Sequence, residues 1–350
     1  MPDSWLQAPE KPSGAHSELA LARQKILTKP PGSLGKLEQI AIDLAGLSRS
    51  EKPAVDPVRI VVFAGDHGVC EEGISAFPQA VTSQMMTNFT HGGAAISVMA
   101  KELGASLEVV NLGTVGAVPE ASGVINEVIA PCTGNIVQKV AMTNKQAEAA
   151  LISGDSAAQR ATEAGSRLFI GGDMGIGNTT SAAAIACALL GHCPQQLVGP
   201  GTGLNSKGVA HKARVVEKAL SRHGDSNDAL SILASLGGFE IAGLTGAIMG
   251  CAARGIPVLV DGFIVSTAAL IAVRQQPDVR DWLIFGHRSA EPGHNAVLEA
   301  LGASPLLDLG MRLGEGSGAA VAVPLLRSAC ALHNYMASFA DANVSEKSKE

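Results

Sequence analysis

A single glutamate, Glu315, stands between glycines in the segment LGMRLGEGSGAA (309–320), immediately before an alanine-rich stretch. A carboxylate in such a glycine-lined turn can enter a ligand-binding crevice with little steric crowding. Burial would raise its pKa, and the amino end of the following helix would lower it. The pattern is typical of a carboxylate that contacts a ligand, although a glutamate at a helix start is as often only a partner of the helix dipole.

A second candidate site is the glycine-rich segment GGDMGIGNTT (171–180), which follows an apolar run and precedes a helical pattern. Unpaired N–H groups at such a helix start would face an anion, which the helix dipole also favours. Its glycines do not follow G-x-G-x-x-G, and the chain contains no G-x-x-x-x-G-K-[ST] sequence. We predict an anion-binding loop, with a tight, capped strand-to-helix turn as the alternative.

A third segment, VGPGTGL (198–204), contains glycines that allow the backbone to approach a phosphate or a ribose closely. Lys212 follows on the next helical pattern, where its ammonium group is a suitable point charge for phosphate. Taken alone, a lysine in this position is more often simply solvated.

The motif AGDHG (64–68) places Asp66 and His67 at the end of an apolar run. The two side chains could form an acid–base pair, begin a metal site, or shape a turn in which the aspartate caps the loop. The sequence does not choose among these three interpretations.

The motif GHRSAEPGH is the second histidine-containing segment of interest. Three of its side chains could be metal ligands: His287, Glu291 and His294. Because the H-E-x-x-H spacing is missing, we expect no metal there. Arg288 and Ser289 are better suited to contact phosphate or carboxylate.

The composition limits the classes of protein that fit the chain. Its 350 residues suffice for one large domain and a smaller one. Hydrophobic residues make up 46% and charged residues 17%, which excludes a disordered chain. With a net charge of −6, nucleic acid is not an expected partner, because binding its phosphates needs clustered lysine and arginine.

The sequence also predicts a cytoplasmic protein with no membrane partner. The six cysteines form no C-x-x-C pair, which indicates thiols in a reducing compartment. The first residues, MPDSWLQAPEKPSG, lack the apolar core of a signal peptide. The most apolar stretch, 256–273, contains Asp261 and is better explained by a buried strand, a turn and a helix than by a membrane span.

Continuous β-branched runs, alternating with helical patterns, predict a doubly wound parallel sheet. The strand candidates are Arg59–Asp66, Ser106–Gly113, Arg167–Asp173, Ile256–Gly262 and Trp282–His287, with Val124–Ala130 as a further possibility. The helix candidates include Asn178–Leu190, Gly208–His223, Ser266–Val273 and Ser317–Phe339. Because ligands of such sheets lie beyond the carboxyl ends of the strands, the polar loops described above should face one crevice.

The amino-terminal region is expected to contain two helices. Residues 1–15 are predicted to be a flexible lead, followed by a helical pattern to about Lys29. A second, amphipathic helix should open near Ser33, whose hydroxyl could cap it.

Seven segments in order along the chain resemble those of the nicotinate-nucleotide–dimethylbenzimidazole phosphoribosyltransferase family. They are KPPGSLGKLE, AGDHGV, GISAFPQAVTSQM, GGDMGIGNTT, GGFEIAGLTGAIMG, GIPVLVDGF and LGEGSGAA. The resemblance spans about Thr28 to Met336, and the ordered set is far more specific than any one segment.

The resemblance implies a fold, an assembly and a reaction. The fold is a Rossmann-like parallel sheet flanked by helices (56–309), with a smaller helical domain formed from both chain ends (1–55 and 310–350). The assembly is a homodimer. The reaction transfers the phosphoribosyl group of nicotinate mononucleotide to 5,6-dimethylbenzimidazole, without a cofactor, on the route to the lower ligand of cobalamin.

The resemblance also implies roles for individual residues. Glu315 matches the family's general base. The implied ribosyl-phosphate contacts are Asp173, Gly175, Gly177, Asn178, Gly201, Thr202, Gly203, Lys212 and Ser289. The implied wall of the base pocket contains Phe77, Gln84, Met85 and Leu313. Some members carry glutamate in place of Asp173, and the wall near Phe77 varies, so the preferred acceptor base is not implied.

Two other classes of function compete with this one. A nucleotide-dependent oxidoreductase could use the same sheet, although the missing G-x-G-x-x-G argues against it. A non-catalytic nucleotide- or benzimidazole-binding protein would use Glu315 only as a hydrogen-bond partner. Among phosphoribosyltransferases, a pyrophosphate-releasing enzyme is disfavoured because no matching acidic diphosphate-binding run is present.

Overall fold

The computed structural model describes residues 4–117 and 123–345, which form an α/β fold around one parallel sheet. The strands are β1 (Val58–Gly65), β2 (Ser106–Gly113), β3 (Ile125–Asn126), β4 (Leu168–Met174), β5 (Val258–Val260) and β6 (Leu283–Phe285). The helices are α1 (Gly14–Ile26), α2 (Lys36–Ser48), α3 (Ala80–Thr90), α4 (Ala95–Leu103), α5 (Asn144–Glu163), α6 (Asn178–Leu190), α7 (Pro194–Leu197), α8 (Ser206–His223), α9 (Ala229–Leu236), α10 (Phe239–Ala253), α11 (Phe263–Gln275), α12 (Gly293–Ala300) and α13 (Ser317–Tyr335).

The strand order of the sheet is β3-β2-β1-β4-β5-β6, and every neighbouring pair is parallel. Ile60 of β1 pairs with Leu107 on one side and with Ile170 on the other. The direction of strand addition therefore reverses between β1 and β4. In doubly wound folds, this reversal opens a crevice beyond the carboxyl ends of the two strands.

The sheet is buried on both faces, as its continuous apolar runs predict. In β1 every residue except Arg59 is buried, and in β4 every residue except Met174. Helix α10 is also buried along almost its whole length, which explains why its sequence is apolar on every side.

Glycines bring helices α5 and α10 into close contact. A methyl group added at Gly154 of α5 would lie 1.9 Å from the carbonyl oxygen of Gly243 on α10. One added at Gly246 would lie 2.0 Å from the carbonyl oxygen of Leu151. The glycines of GGFEIAGLTGAIMG thus permit backbone-to-backbone packing that no side chain could fit.

The central strands and helix α6 agree with the prediction, whereas the outer strands are shorter. β1, β2 and β4 match their predicted runs to within one residue at each end. β5 and β6 each have three residues, and Val124–Ala130 forms only the two-residue β3. In that last segment, Glu127 and Ile129 still donate to carbonyl groups of β2, but the pairing is too irregular for a strand.

The two ends of the chain meet. The guanidinium group of Arg23 on α1 donates to the carbonyl groups of His333, Asn334 and Met336. Leu27 and Ser338 form an antiparallel bridge, so α13 ends at Tyr335 rather than at Phe339. The division into two domains stays a prediction.

Two predictions about the amino-terminal region are wrong. Residues 1–15 are not all a flexible lead, because Trp5 is buried and α1 already begins at Gly14. Ser33 does not cap α2, whose N-cap residue is Gly35. The carboxylate of Glu38 accepts the N–H groups of Gly32 and Leu34, in the turn that precedes α2.

Candidate active site

A cavity of about 340 Å³ opens beyond the carboxyl ends of β4, β5 and β6. Its lining residues are Phe77, Asp173, Asn178, Thr179, Gly201, Thr202, Gly262, Phe263, Ile264, His287, Ser289, Glu291, Arg312, Leu313 and Gly314. Loops that follow three different strands therefore converge on one crevice, as predicted. The AGDHG loop after β1 contributes no lining residue among those described.

A second cavity of about 250 Å³ adjoins the first and contains Glu315. The two cavities share five lining residues: Phe77, Asp173, Asn178, Thr202 and Leu313. The smaller cavity adds the apolar side chains of Val81 and Met85 from α3. The site thus has two connected compartments, and the carboxylate lies in the wall of the smaller one.

The backbone around Glu315 is held in an unusual conformation. Gly314, Glu315 and Gly316 have φ angles of 87°, 65° and 89°, all in the left-handed region. Non-glycine residues rarely adopt this region, and they do so mostly where the surroundings force it. The carbonyl group of Glu315 lies against Gly172 of β4, where an added methyl group would come within 2.2 Å of its oxygen. Strand β4 therefore fixes the position of the glutamate.

The carboxylate of Glu315 is buried, with 6% of the residue exposed. Its Oε2 lies 3.5 Å from the backbone nitrogen of Ile96, at the start of α4. Burial raises the pKa of Glu315, the N–H group of Ile96 lowers it, and the nearby carboxylate of Asp261 raises it further. Asp261 itself accepts the N–H group of Ala319, so it occupies part of the amino end of α13.

The loop after β4 presents polar groups to both compartments. The side-chain amide of Asn178 donates to Asp173 at 3.0 Å. Burial raises the pKa of Asp173 well above its usual range, and the carboxylates of Asp261 and Glu240 add to this shift. Gly177, with a φ of 97°, is the N-cap of α6, so the amino end of this helix faces the larger cavity through Asn178 and Thr179.

The second glycine loop (198–204) forms hydrogen bonds with three surrounding side chains. The N–H group of Gly201 donates to Glu291 at 3.0 Å, and its carbonyl group accepts from Arg312 at 2.9 Å. Lys212 lies directly behind the loop, where its Nζ donates to Thr179 at 2.6 Å and to the carbonyl group of Gly199 at 3.4 Å. Burial lowers the pKa of Lys212 to about 8, partly offset by the charge of Glu291.

A family model described as phosphoribosyltransferase matches residues 10–344. The chain is 59% identical to the nicotinate-nucleotide–dimethylbenzimidazole phosphoribosyltransferase of Pseudomonas fluorescens, with 99% of each chain covered. It is also 59% identical to the enzyme of that name from Pseudomonas aeruginosa, with 94% of each covered.

The chain belongs to the nicotinate-nucleotide–dimethylbenzimidazole phosphoribosyltransferase family. A crystal structure with this name from Thermus thermophilus superimposes with a TM-score of 0.91 at 43% identity, covering 96% of this chain and all of that one. The predicted family, the α/β fold and the phosphoribosyltransferase class are thereby confirmed.

This phosphoribosyltransferase brings most of its predicted site residues to the two cavities. Asp173, Gly175, Asn178, Gly201, Thr202, Ser289, Phe77, Met85, Leu313 and Glu315 line one or both. Four others lie outside the described linings: Gly177, Gly203, Lys212 and Gln84. Gly177 and Lys212 stand directly behind the wall, whereas Gln84 is exposed on α3. The roles of all fourteen stay predictions.

The histidine-containing motif after β6 does not assemble a metal-ligand set. His294 is fully buried, and its two ring nitrogens lie 2.8 Å from the N–H group of Ser289 and 2.9 Å from the hydroxyl of Ser266. His287 lies instead 3.5 Å from Asp261, and Glu291 turns to Gly201. Across residues 4–117 and 123–345, no three histidine, cysteine, aspartate or glutamate side chains are grouped to hold a metal ion.

The phosphoribosyltransferase also has a site residue that the sequence interpretation missed. Arg312 lines the larger cavity and bridges to the Gly201 loop. The available signal was its place in LGMRLGEGSG, three residues before Glu315.

Among the residues described, no helix is long and apolar enough to cross a membrane.

Proposed function

We propose that this enzyme transfers the phosphoribosyl group of nicotinate mononucleotide to 5,6-dimethylbenzimidazole, giving α-ribazole 5′-phosphate and nicotinate. The observation that carries the proposal is the buried carboxylate of Glu315 in the wall of a small apolar compartment that opens into a larger, glycine-lined one. Two compartments suit two substrates, and a carboxylate beside the apolar one suits an N–H group on a flat ring.

The larger compartment is assigned to the nucleotide. Its walls include the amino end of α6 and the Gly201 loop, which present backbone dipoles to an anion. Arg312 adds a cation at the exposed rim, and Lys212 adds a second one from behind the loop. These local groups bind the phosphate in a protein whose net charge is −6.

The smaller compartment is assigned to the acceptor base. The side chains of Phe77 and Leu313 are about half exposed at its rim, while Val81 and Met85 form its inner wall. An apolar ring would cover these surfaces and exclude water from Glu315. The benzimidazole N–H group would then lie against the carboxylate.

The reaction follows from this arrangement. The bond between C1′ and the nicotinate nitrogen breaks, and the bonding electrons leave with nicotinate while positive charge develops on the ribose. A benzimidazole nitrogen attacks C1′ from the opposite face, which inverts the β linkage to α. The proton on the other ring nitrogen becomes acidic and passes to Glu315. Because the leaving group is a pyridinium, we expect no metal requirement.

Positioning and proton transfer contribute unequally. Holding both flat rings against one ribose can lower the barrier by roughly 7–11 kcal/mol. Proton acceptance by a placed carboxylate adds on the order of 10²–10⁴-fold in rate.

Mass spectrometry of the products tests the function. The enzyme should convert nicotinate mononucleotide and 5,6-dimethylbenzimidazole to equal amounts of α-ribazole 5′-phosphate and nicotinate, and a panel of other bases would rank acceptors. Failure to release nicotinate with any base would reject the transfer. A change in NADH absorbance with turnover would favour the oxidoreductase, and binding without products would favour the non-catalytic protein.

We also propose that the enzyme works as a cytoplasmic homodimer with these small-molecule substrates and no nucleic acid. Light scattering at working concentrations tests the assembly, where the mass of a single 35.6 kDa chain would contradict it. Cell fractionation tests the location, where recovery in a membrane or periplasmic fraction would contradict it.

A further inference from the structure

The motif AGDHG (64–68) lies beside the proposed site without lining it. Asp66 and His67 are both fully buried. Their side chains nevertheless connect the sheet to the loop of residues 175–177, which precedes helix α6 and contains two of the predicted nucleotide contacts.

Asp66 fixes the orientation of the hydroxyl group of Thr82 on α3 by accepting its proton in a hydrogen bond. Its Oδ1 accepts the Thr82 hydroxyl proton at 2.6 Å, and its Oδ2 accepts the N–H group of Val115 at 2.9 Å. A threonine hydroxyl has one proton and two lone pairs. Because the proton is committed to Asp66, the oxygen of Thr82 faces its other neighbour as an acceptor.

That neighbour is the backbone N–H group of Ile176, at 3.2 Å from the Thr82 oxygen. The carbonyl group of Ile176 accepts from the thiol of Cys70 at 3.1 Å. Both backbone polar groups of Ile176 are thus held by buried or half-buried side chains rather than by the nucleotide. Its glycine neighbours on either side are left to shape the turn into α6.

His67, which follows β1, packs against the same loop and links helix α6 to helix α10. Its Nε2 donates to Glu240 at 2.6 Å, and its Nδ1 lies 3.0 Å from the hydroxyl of Ser181 on α6. A methyl group at Gly177 would lie 3.3 Å from the Cβ of His67. The motif therefore supports both the turn and the first turns of the helix that faces the nucleotide compartment.

We propose that Thr82, oriented by Asp66, is a positioning residue that fixes the 175–177 loop, which lines the base compartment through Gly175 and Ile176 and leads into the helix that faces the nucleotide compartment. The proposal rests on the proposed assignment of the two compartments to the two substrates. Thr82 also lies on the helix that carries Val81 and Met85, which line the base compartment. It therefore joins the two halves of the site without touching either substrate.

The test compares T82V with T82S in steady-state kinetics. T82V leaves the N–H group of Ile176 buried without an acceptor, so the KM for nicotinate mononucleotide should rise at least about 5-fold. Because Gly175 and Ile176 line the base compartment, the KM for 5,6-dimethylbenzimidazole should rise as well, and T82S should restore both wild-type values. The matched control is T245V, which removes another fully buried hydroxyl that donates within α10 at 2.8 Å. T245V should leave both KM values unchanged.

Amide hydrogen exchange gives a readout that does not depend on turnover. T82V should accelerate exchange of residues 175–178, whereas T245V should not. Unchanged exchange in T82V, a T82S enzyme no better than T82V, or the same KM increase in T245V would overturn the positioning role. Failure of the wild-type enzyme to bind nicotinate mononucleotide in calorimetry would instead reject the proposed function, whatever the exchange data show.

Discussion

Glu315 and Lys212 are the two buried charged residues on which the proposed chemistry depends, and they occupy different layers of the site. The glutamate is 6% exposed and borders the base compartment directly. The lysine is 1% exposed, and Thr179 and Gly201 separate its ammonium group from the nucleotide compartment. The carboxylate of Glu315 can therefore contact a reacting atom directly, whereas the ammonium group of Lys212 can act on the nucleotide only across the residues that line the cavity.

The backbone explains this difference. Glu315 stands in a left-handed turn between two glycines, which leaves its side chain beside the cavity. Lys212 projects from the buried face of α8 toward the rear of the Gly201 loop. Left-handed backbone thus places Glu315, the proposed base, whereas helix packing places Lys212, the proposed source of charge. Loss of the first should lower the rate, and loss of the second should weaken binding.

The sharpest test of this comparison is E315Q, with the largest expected effect. Glutamine keeps the size of the side chain but cannot accept a proton, so kcat should fall on the order of 10²–10⁴-fold. The KM for nicotinate mononucleotide should change little. Single-turnover release of nicotinate measures the chemical step.

E108Q is the matched control for removing a buried carboxylate. Glu108 is 9% exposed on β2 and pairs with Arg59 and Arg160, away from both cavities. Its variant should lose thermal stability but keep kcat. Near-wild-type turnover in E315Q would end the assignment of Glu315 as the base.

The next largest effect is expected from G172A, which displaces Glu315 without changing its chemistry. The added methyl group would meet the backbone oxygen of Glu315 at 2.2 Å, so the turn must move. A shift of about 1 Å at a reacting group can cost roughly 10²-fold in rate. G171A is the control, since its methyl group would clash only with the flexible end of Leu244, at 2.6 Å. Equal kcat values for the two variants would show that the left-handed turn does not position the base.

Much of this architecture could be predicted from sequence, for identifiable reasons. The apolar runs of β1, β2 and β4 are continuous and only seven or eight residues long, which is typical of a strand buried on both faces. The helix Asn178–Leu190 is bounded by a glycine at each end. The strand order could not be read, because it depends on pairings between distant segments. Ser33 failed as a cap because α2 begins two residues later than expected, after Gly35, and Glu38 binds the N–H groups of Gly32 and Leu34 in the preceding turn.

The site was predicted less completely than the fold. Glycine-rich loops indicated where backbone could approach a ligand, and the family resemblance pointed to Glu315. Sequence position alone cannot show that Lys212 lies behind the wall, because that depends on how α8 packs. Nor could it choose a role for Asp66, whose carboxylate binds Val115 in the loop after β2 and Thr82 on α3.

K212A should affect binding more than rate. Removing a charged hydrogen-bond donor typically costs about 1.5–3 kcal/mol, or roughly 10–150-fold in the dissociation constant of nicotinate mononucleotide. Calorimetry without the acceptor base measures this constant. K218A, an exposed lysine on the same helix, is the control and should bind normally. A loss of kcat without weaker nucleotide binding would place Lys212 in the chemical step and erase the contrast with Glu315.

The smallest expected effects are changes with pH, which also distinguish the role of Glu315 from that of Lys212. Burial raises the pKa of Glu315, so protonation should reduce kcat/KM at a higher pH than for an ordinary glutamate, as pH falls. Burial lowers the pKa of Lys212 to about 8, so its charge, and with it nucleotide binding, should be lost as pH rises through that value. Each limb should approach tenfold per pH unit. E315Q should remove the acid limb alone and K212A the alkaline limb alone, because each variant lacks one titrating group. If either variant kept its own limb, another group would control it, and the two-layer assignment of charge would have to be revised at that residue.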